Sequence, residues 1–98
     1  EDMQSVSLST EKPLDPEKFF PWVQNLVATD GPSILRTKGI IAFKDDPQRF
    51  VFQGVHMILD GDHQRDWNAD ETRVSRIVFI GRNLPEEKIR AGFEGCVA

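Results

Sequence analysis

The sequence is poor in cysteine, in long hydrophobic runs and in catalytic motifs, and each shortage excludes something. Cys96 is the single cysteine in 98 residues. No disulfide can close within the chain, and a reducing, cytoplasmic setting is expected. No apolar run approaches the roughly 20 residues that a membrane helix needs. No signal peptide is visible, and the first residue is Glu1 rather than Met, as expected of a fragment or a processed product. The phosphate-binding pattern GxxxxGK followed by Ser or Thr is absent, and so is GxGxxG. Without that amide cradle and its lysine the chain is not expected to hydrolyse a nucleotide. There is no CxxC, no HExxH, and no Ser set beside a His in a nucleophile motif, so catalysis has no positive support. Repeats and low-complexity tracts are missing too. The net charge of −4 disfavours general affinity for nucleic-acid phosphates.

What is present is ordinary globular material: 39% hydrophobic and 29% charged residues, with room for one domain over 1–98 and one core. Val6 and Leu8 alternate with Ser5 and Ser7, which predicts a short strand with one buried face. Asp15 is a good helix cap, Pro16 suits the first helical position and Glu17 favours the positive end of the dipole. Phe19, Trp22, Val23, Leu26 and Val27 follow at helical spacing; Pro21 inside that pattern should kink or delay the helix. Residues 34–43 and 50–59 read as two strands across the turn Lys44–Asp45–Asp46–Pro47, pairing as a hairpin. A polar stretch from Asp60 to Arg73 reads as a loop, long for a compact domain. Ser75 to Ile80 is a further strand. Pro85 to Ala98 reads as a helix burying Ile89, Phe93, Cys96 and Val97, with Gly92 and Gly95 weakening it or permitting close packing on the sheet. The expected fold is a two-layer α+β sandwich of order β-α-β-β-β-α, a mainly antiparallel sheet with two helices on one face.

Two histidines are the candidate metal ligands. His56 lies on the strongest apolar strand, and His63, Asp60, Asp62 and Asp66 are the nearest suppliers of further ligands. The plain alternative is a histidine hydrogen-bonded beside the core, with His63 in a solvated loop. Asp60, Asp62 and Glu71 fall at the first, third and twelfth positions of a calcium-loop pattern. Arg65 stands where that loop needs Gly, so the match is taken as chance. Trp67 is expected to tack its loop to the body, and Cys96 to act as a small hydrophobe.

The run 50–59 is apolar on both parities. A two-layer domain covers only one sheet face, so the other is expected to serve as a partner surface or to remain an exposed apolar patch. The favoured partner face is that of Val51, Val55 and Met57, bordered by Arg36, Lys38 and Arg76. Phe50, Phe52 and Ile58 are expected beneath the helices, with Gly54 letting a helix approach.

Several segments carry a family resemblance. Phe52–Gln53–Gly54–Val55–His56–Met57, then Arg76–Ile77–Val78–Phe79–Ile80–Gly81–Arg82, then Ala91–Gly92–Phe93 resemble the carboxyl-terminal domain of the CobW family; so do Gln4–Ser5–Val6–Ser7–Leu8 and Ile34–Leu35–Arg36–Thr37–Lys38–Gly39. The resemblance spans nearly the whole chain and rests on the order and spacing of the segments. It implies a non-catalytic accessory domain of a GTP-dependent metal chaperone linked to cobalamin biosynthesis. The parent would use GTP, magnesium and a transition metal, zinc or cobalt, through nucleotide and cysteine motifs that this chain lacks. Of the histidine-rich linker common in the family, only Glu1 and Asp2 would remain. The implied partners are the protein's own GTPase domain and a protein client, with self-association possible and neither nucleic acid nor membrane involved. The competing reading is an independent metal- or ligand-binding module built on His56 and the 60–66 stretch.

Overall fold

A computed structural model of the chain describes residues 2–98. The elements are β1 (Gln4–Thr10), α1 (Pro16–Asp30), β2 (Ile34–Ile41), β3 (Gln48–Val55), β4 (Ile58–Asp66), β5 (Ser75–Gly81) and α2 (Glu86–Glu94). One antiparallel sheet runs in the order β1-β5-β2-β3-β4, and both helices cover the same face. The expected two-layer sandwich is the architecture found, with one strand more than expected.

The extra strand arises from a tight turn. The run 50–59 is not one strand: the chain reverses at His56–Met57, and Val55 faces Ile58 across the new hairpin. His56 adopts a left-handed φ of 55°, and its N–H donates to the Leu35 carbonyl of β2 at 3.1 Å. Histidine is among the few non-glycine residues that tolerate this region, which is why no glycine marks the turn. Two expectations change with it. The polar stretch after Asp60 begins as β4 rather than as a loop. Ile58 moves to the open face, where it is 77% exposed. Gly54 does face inward, but the space beside it is taken by the Leu59 side chain rather than by a helix.

α1 starts where its cap residues dictate. The Asp15 carboxylate accepts from the Glu17 N–H at 2.9 Å. The helix then runs through Pro21 to Asp30 without a break. α2 is shorter than expected. It stops at Glu94, and the tail crosses to the segment before α1, with Asp15 N–H on the Cys96 carbonyl at 2.8 Å and Ala98 N–H on the Pro13 carbonyl at 3.0 Å.

Between the layers lies a single core centred on Phe19, which meets Phe43 and Phe52 edge-on at 5.6 and 5.5 Å between ring centres. Leu14, Ile34, Ile41, Ile77, Phe79 and Ile89 are wholly buried around it. Gly61 leaves room on β4 for the Phe50 ring, which extends the core toward that edge.

Candidate functional site

The sheet face away from the helices is the candidate site. Strand registers arrange it in three cross-strand rows: Ser5–Ile80–Arg36–Val55–Ile58, Ser7–Val78–Lys38–Gln53–Asp60 and Ser9–Arg76–Ile40–Val51–Asp62. Charge is therefore graded across the face. Uncharged serines line β1, three cations occupy the middle strands, and two carboxylates stand on β4. The side chains of Arg36, Lys38 and Arg76 take part in no ion pair or hydrogen bond among the described residues. Between them runs apolar surface. Val51 is half-buried and Val55 is 51% exposed, whereas Met57, expected on this face, is 57% exposed at the hairpin tip with its side chain turned toward Gly31 at the end of α1. A concavity of about 660 Å³ opens here, lined by Arg36, Lys38, Gln53, Val55, Ile58 and Asp60 among others. Monomeric proteins seldom leave large contiguous apolar area exposed without a use for it. Unpaired guanidinium and ammonium groups beside such area suit a partner that brings both apolar and acidic side chains.

The two histidines are not brought together. His56 is exposed at the hairpin turn. His63 stands on the inner parity of β4, five strand residues beyond Ile58, or about 16 Å along the strand. The His63 imidazole Nε2 lies 2.7 Å from an Asp46 carboxylate oxygen, and its ring meets Phe50 edge-on. Asp46 is held below the ordinary carboxylate range, chiefly because its other oxygen accepts from the Gln48 N–H, with His63 adding to the effect. Asp60 and Asp62 point to the opposite face of the strand from His63. Among the described residues no three His, Cys, Asp or Glu side chains gather as a metal site.

Glu71 is likewise engaged by protein groups. Its carboxylate accepts from both Arg65 guanidinium nitrogens at 3.0 and 3.2 Å and from the Asn68 N–H at 2.9 Å; Arg49 lies at 3.7 Å. Those bonds hold it down to about 2, the Arg65 contact being the largest cause. Trp67 follows β4 directly and is buried, its backbone N–H donating to the Pro47 carbonyl and its ring beneath the Arg49 guanidinium at 5.3 Å. Cys96 is buried, and burial pushes its thiol up to about 11.

Ile58 is the site residue that sequence reasoning misplaced. The signals were a parity that ran apolar on both sides and an improbably long polar loop after it; together they mark a missed hairpin.

Residues 3–97 match the family described as "Cobalamin synthesis protein cobW C-terminal domain". The chain belongs to the CobW family. It is 37% identical over 94 residues to the zinc chaperone YjiA of Escherichia coli, covering 96% of this chain and 29% of that protein. It is 31% identical over 84 residues to a zinc chaperone CobW from a Sinorhizobium species, covering 85% of the chain and 23% of the relative. The zinc chaperone CobW of Pseudomonas aeruginosa is 43% identical over 56 residues, 57% of the chain and 15% of the relative. The crystal structure of zinc-bound YjiA GTPase from E. coli superposes with a TM-score of 0.94 at 36% identity, over 99% of this chain and 30% of that one. The chain thus spans less than a third of the relatives it matches and corresponds to their accessory carboxyl-terminal domain. No helix among the described residues is long and apolar enough to cross a membrane.

Proposed function

We propose that residues 1–98 form one carboxyl-terminal accessory domain of a GTP-dependent zinc chaperone of the cytoplasm, and that the domain docks on its own GTPase domain through the open sheet face. The observation that carries this is the unpaired Arg36, Lys38 and Arg76 set among Val55, Ile58, Val78 and Ile80 on a rigid sheet. The matched relatives are named as zinc chaperones and one as a GTPase, which supports the setting. GTP and magnesium find no cradle in this chain, and zinc finds no cluster of three ligands among its described residues. Holding them falls to the parent's remaining domain, and the cobalamin link follows only from the family description. The competing module reading would need His56, His63 and the 60–66 carboxylates to converge, and they lie apart on different faces.

The experiment is titration calorimetry of the 98-residue chain against the separately expressed GTPase domain of its parent. Binding is expected, and Arg36→Glu or Arg76→Glu should weaken it about tenfold, equal to about 1.4 kcal/mol. Absence of binding, or binding indifferent to both substitutions, overturns the docking reading. Stoichiometric zinc binding by the chain alone, lost in His56→Ala, would favour the module instead.

A further inference from the structure

A different surface lies at the rim of the sheet. β1 is an edge strand whose sole neighbour among the described residues is β5. In an antiparallel ladder every second residue turns its N–H and C=O away from the partner strand. Among the described residues, no backbone hydrogen bond outside the β1–β5 ladder reaches positions 4–10. Soluble proteins usually guard such an edge with charge, proline or a bulge. β1 has none of these: Gln-Ser-Val-Ser-Leu-Ser-Thr carries no charge and no proline, and its register with β5 runs without a shift. The opposite edge is guarded. β4 carries Asp60, Asp62, Arg65 and Asp66, and its register with β3 is irregular.

The helix layer leaves space beside the bare edge. A concavity of about 450 Å³ lies between β1 and α2, lined by Leu8, Phe93 and Val97 together with Lys12, Arg90 and Glu94. Its position is where the core-facing side chains of an added strand would go. The edge and the concavity together describe a place for one more strand, supplied with hydrogen-bonding groups and with a receptacle for its apolar side chains.

We propose that the added strand is β1 of a second copy of this chain, paired antiparallel with Ser7 opposite the partner's Ser7. Ser7 is exposed on the open face, so nothing in the core obstructs that centre. This register sets Gln4 opposite Thr10, Ser5 opposite Ser9 and Val6 opposite Leu8. Core-facing residues meet core-facing residues, both helix layers lie on one side of a doubled sheet, and the partner's Val6 enters the concavity beside Leu8. No charge opposes a like charge. The same twofold operation on β4 would set Asp62 against the partner's Asp62, which disfavours pairing there. The absence of charge at the edge favours a copy of itself over a charged foreign segment. The proposal does not depend on how the open face is used.

Cysteine scanning tests it directly. Opposed residues of antiparallel strands lie about 4.5–5.5 Å apart between Cα atoms, within disulfide reach. Ser7→Cys should therefore oxidise to a cross-linked species of twice 11.2 kDa. Ser9→Cys should not, since its counterpart would stand about four residues, or about 13 Å, away. Cys96 is buried and is present in both variants, so it serves as a common background. In parallel, sedimentation of the unmodified chain should show a concentration-dependent dimer, and Ser7→Lys should raise its dissociation constant about tenfold or more. Circular dichroism of each variant checks that the fold persists. Equal cross-linking of both cysteine variants, cross-linking of neither, or a dimer indifferent to Ser7→Lys but abolished by Ile58→Lys would overturn the assignment.

Discussion

The indole of Trp22 on α1 lies directly over Gly92 of α2, so close that a Cβ added at Gly92 would strike the ring nitrogen. This contact joins the two helices, and the ring is held in turn by Phe19, Phe79 and Phe93 at 5.9, 6.2 and 6.2 Å between centres. Gly92→Ala sets two effects against each other. Alanine gains about 1 kcal/mol of helix propensity over glycine. Overpacking a fixed ring costs about 1–3 kcal/mol. The ring is partly buried and packed by three aromatic neighbours, so the clash should dominate, leaving a net loss of about 1 kcal/mol by urea denaturation. Combining Gly92→Ala with Trp22→Phe should cost less than the sum of the two single changes. Additive losses would show that the two residues do not meet.

Acid should loosen the turn after β4 before it unfolds the domain. The Glu71 carboxyl is held down from 4.5 to about 2 by the Arg65 guanidinium and the Asn68 N–H. A depressed carboxylate contributes stability above its unfolded value, and that contribution is lost as pH falls from about 4.5 toward 2. Protection of the Asn68 and Glu71 amides, measured against their intrinsic exchange rates, should fall in that window, and Glu71→Gln should lower it in the same way at neutral pH. Protection indifferent to pH across the window would rule out the clamp.

Cys96 should be chemically silent in the native state. Its thiol donates to the Gly92 carbonyl at 3.3 Å, and burial raises it from 9.0 to about 11. The thiolate is the reactive form, so at pH 8 a disulfide reagent should react only as fast as the tail opens. Labelling should rise steeply through the urea transition. The raised value also means that this group's contribution to stability is intact at neutral pH and is lost only as pH climbs through about 9 to 11. Rapid labelling in native buffer would place the thiol in solvent.

Chelator should leave the melting temperature unchanged. The core is complete without metal: Phe19, Ile41, Phe52, Phe79, Ile89 and Phe93 are buried against one another, and His63 is satisfied by Asp46. Thermal unfolding with and without EDTA checks this, and a drop of several degrees would reveal a structural ion.

The layers were legible because both helices and four of the strands follow simple periodicity. Asp15 and Pro16 announce α1, and Val6 with Leu8 announce β1. The hairpin at His56–Met57 was not legible, because its turn relies on a histidine at positive φ instead of the usual Gly, Asn or Asp. Without that turn the parity after Val55 is inverted, and Ile58 is expected in the core. β4 itself has no apolar stripe to betray it. Its inner positions are Leu59, Gly61 and His63, and its core contact comes from Phe50 reaching across Gly61. The cross-strand rows of the open face were beyond sequence reading, since they depend on which strands neighbour which. Arg36 and Arg76 are expected as a basic border, and the opposing acidic margin on β4 appears only when the registers are known.

The strand order has a consequence for how the chain must fold. β1 pairs with β5, and Leu14 is clasped by Val97, 83 positions later. No early segment can therefore close its own core. During synthesis, α1 and the first hairpins emerge with their apolar faces uncovered and must wait for residues through Val97 before the sheet can be completed. Long-range pairing of this kind slows folding and prolongs exposure of apolar surface. A chain stalled before β5 would present the uncharged edge of β1 on both sides, and the nascent domain should rely on chaperone protection more than its small size suggests.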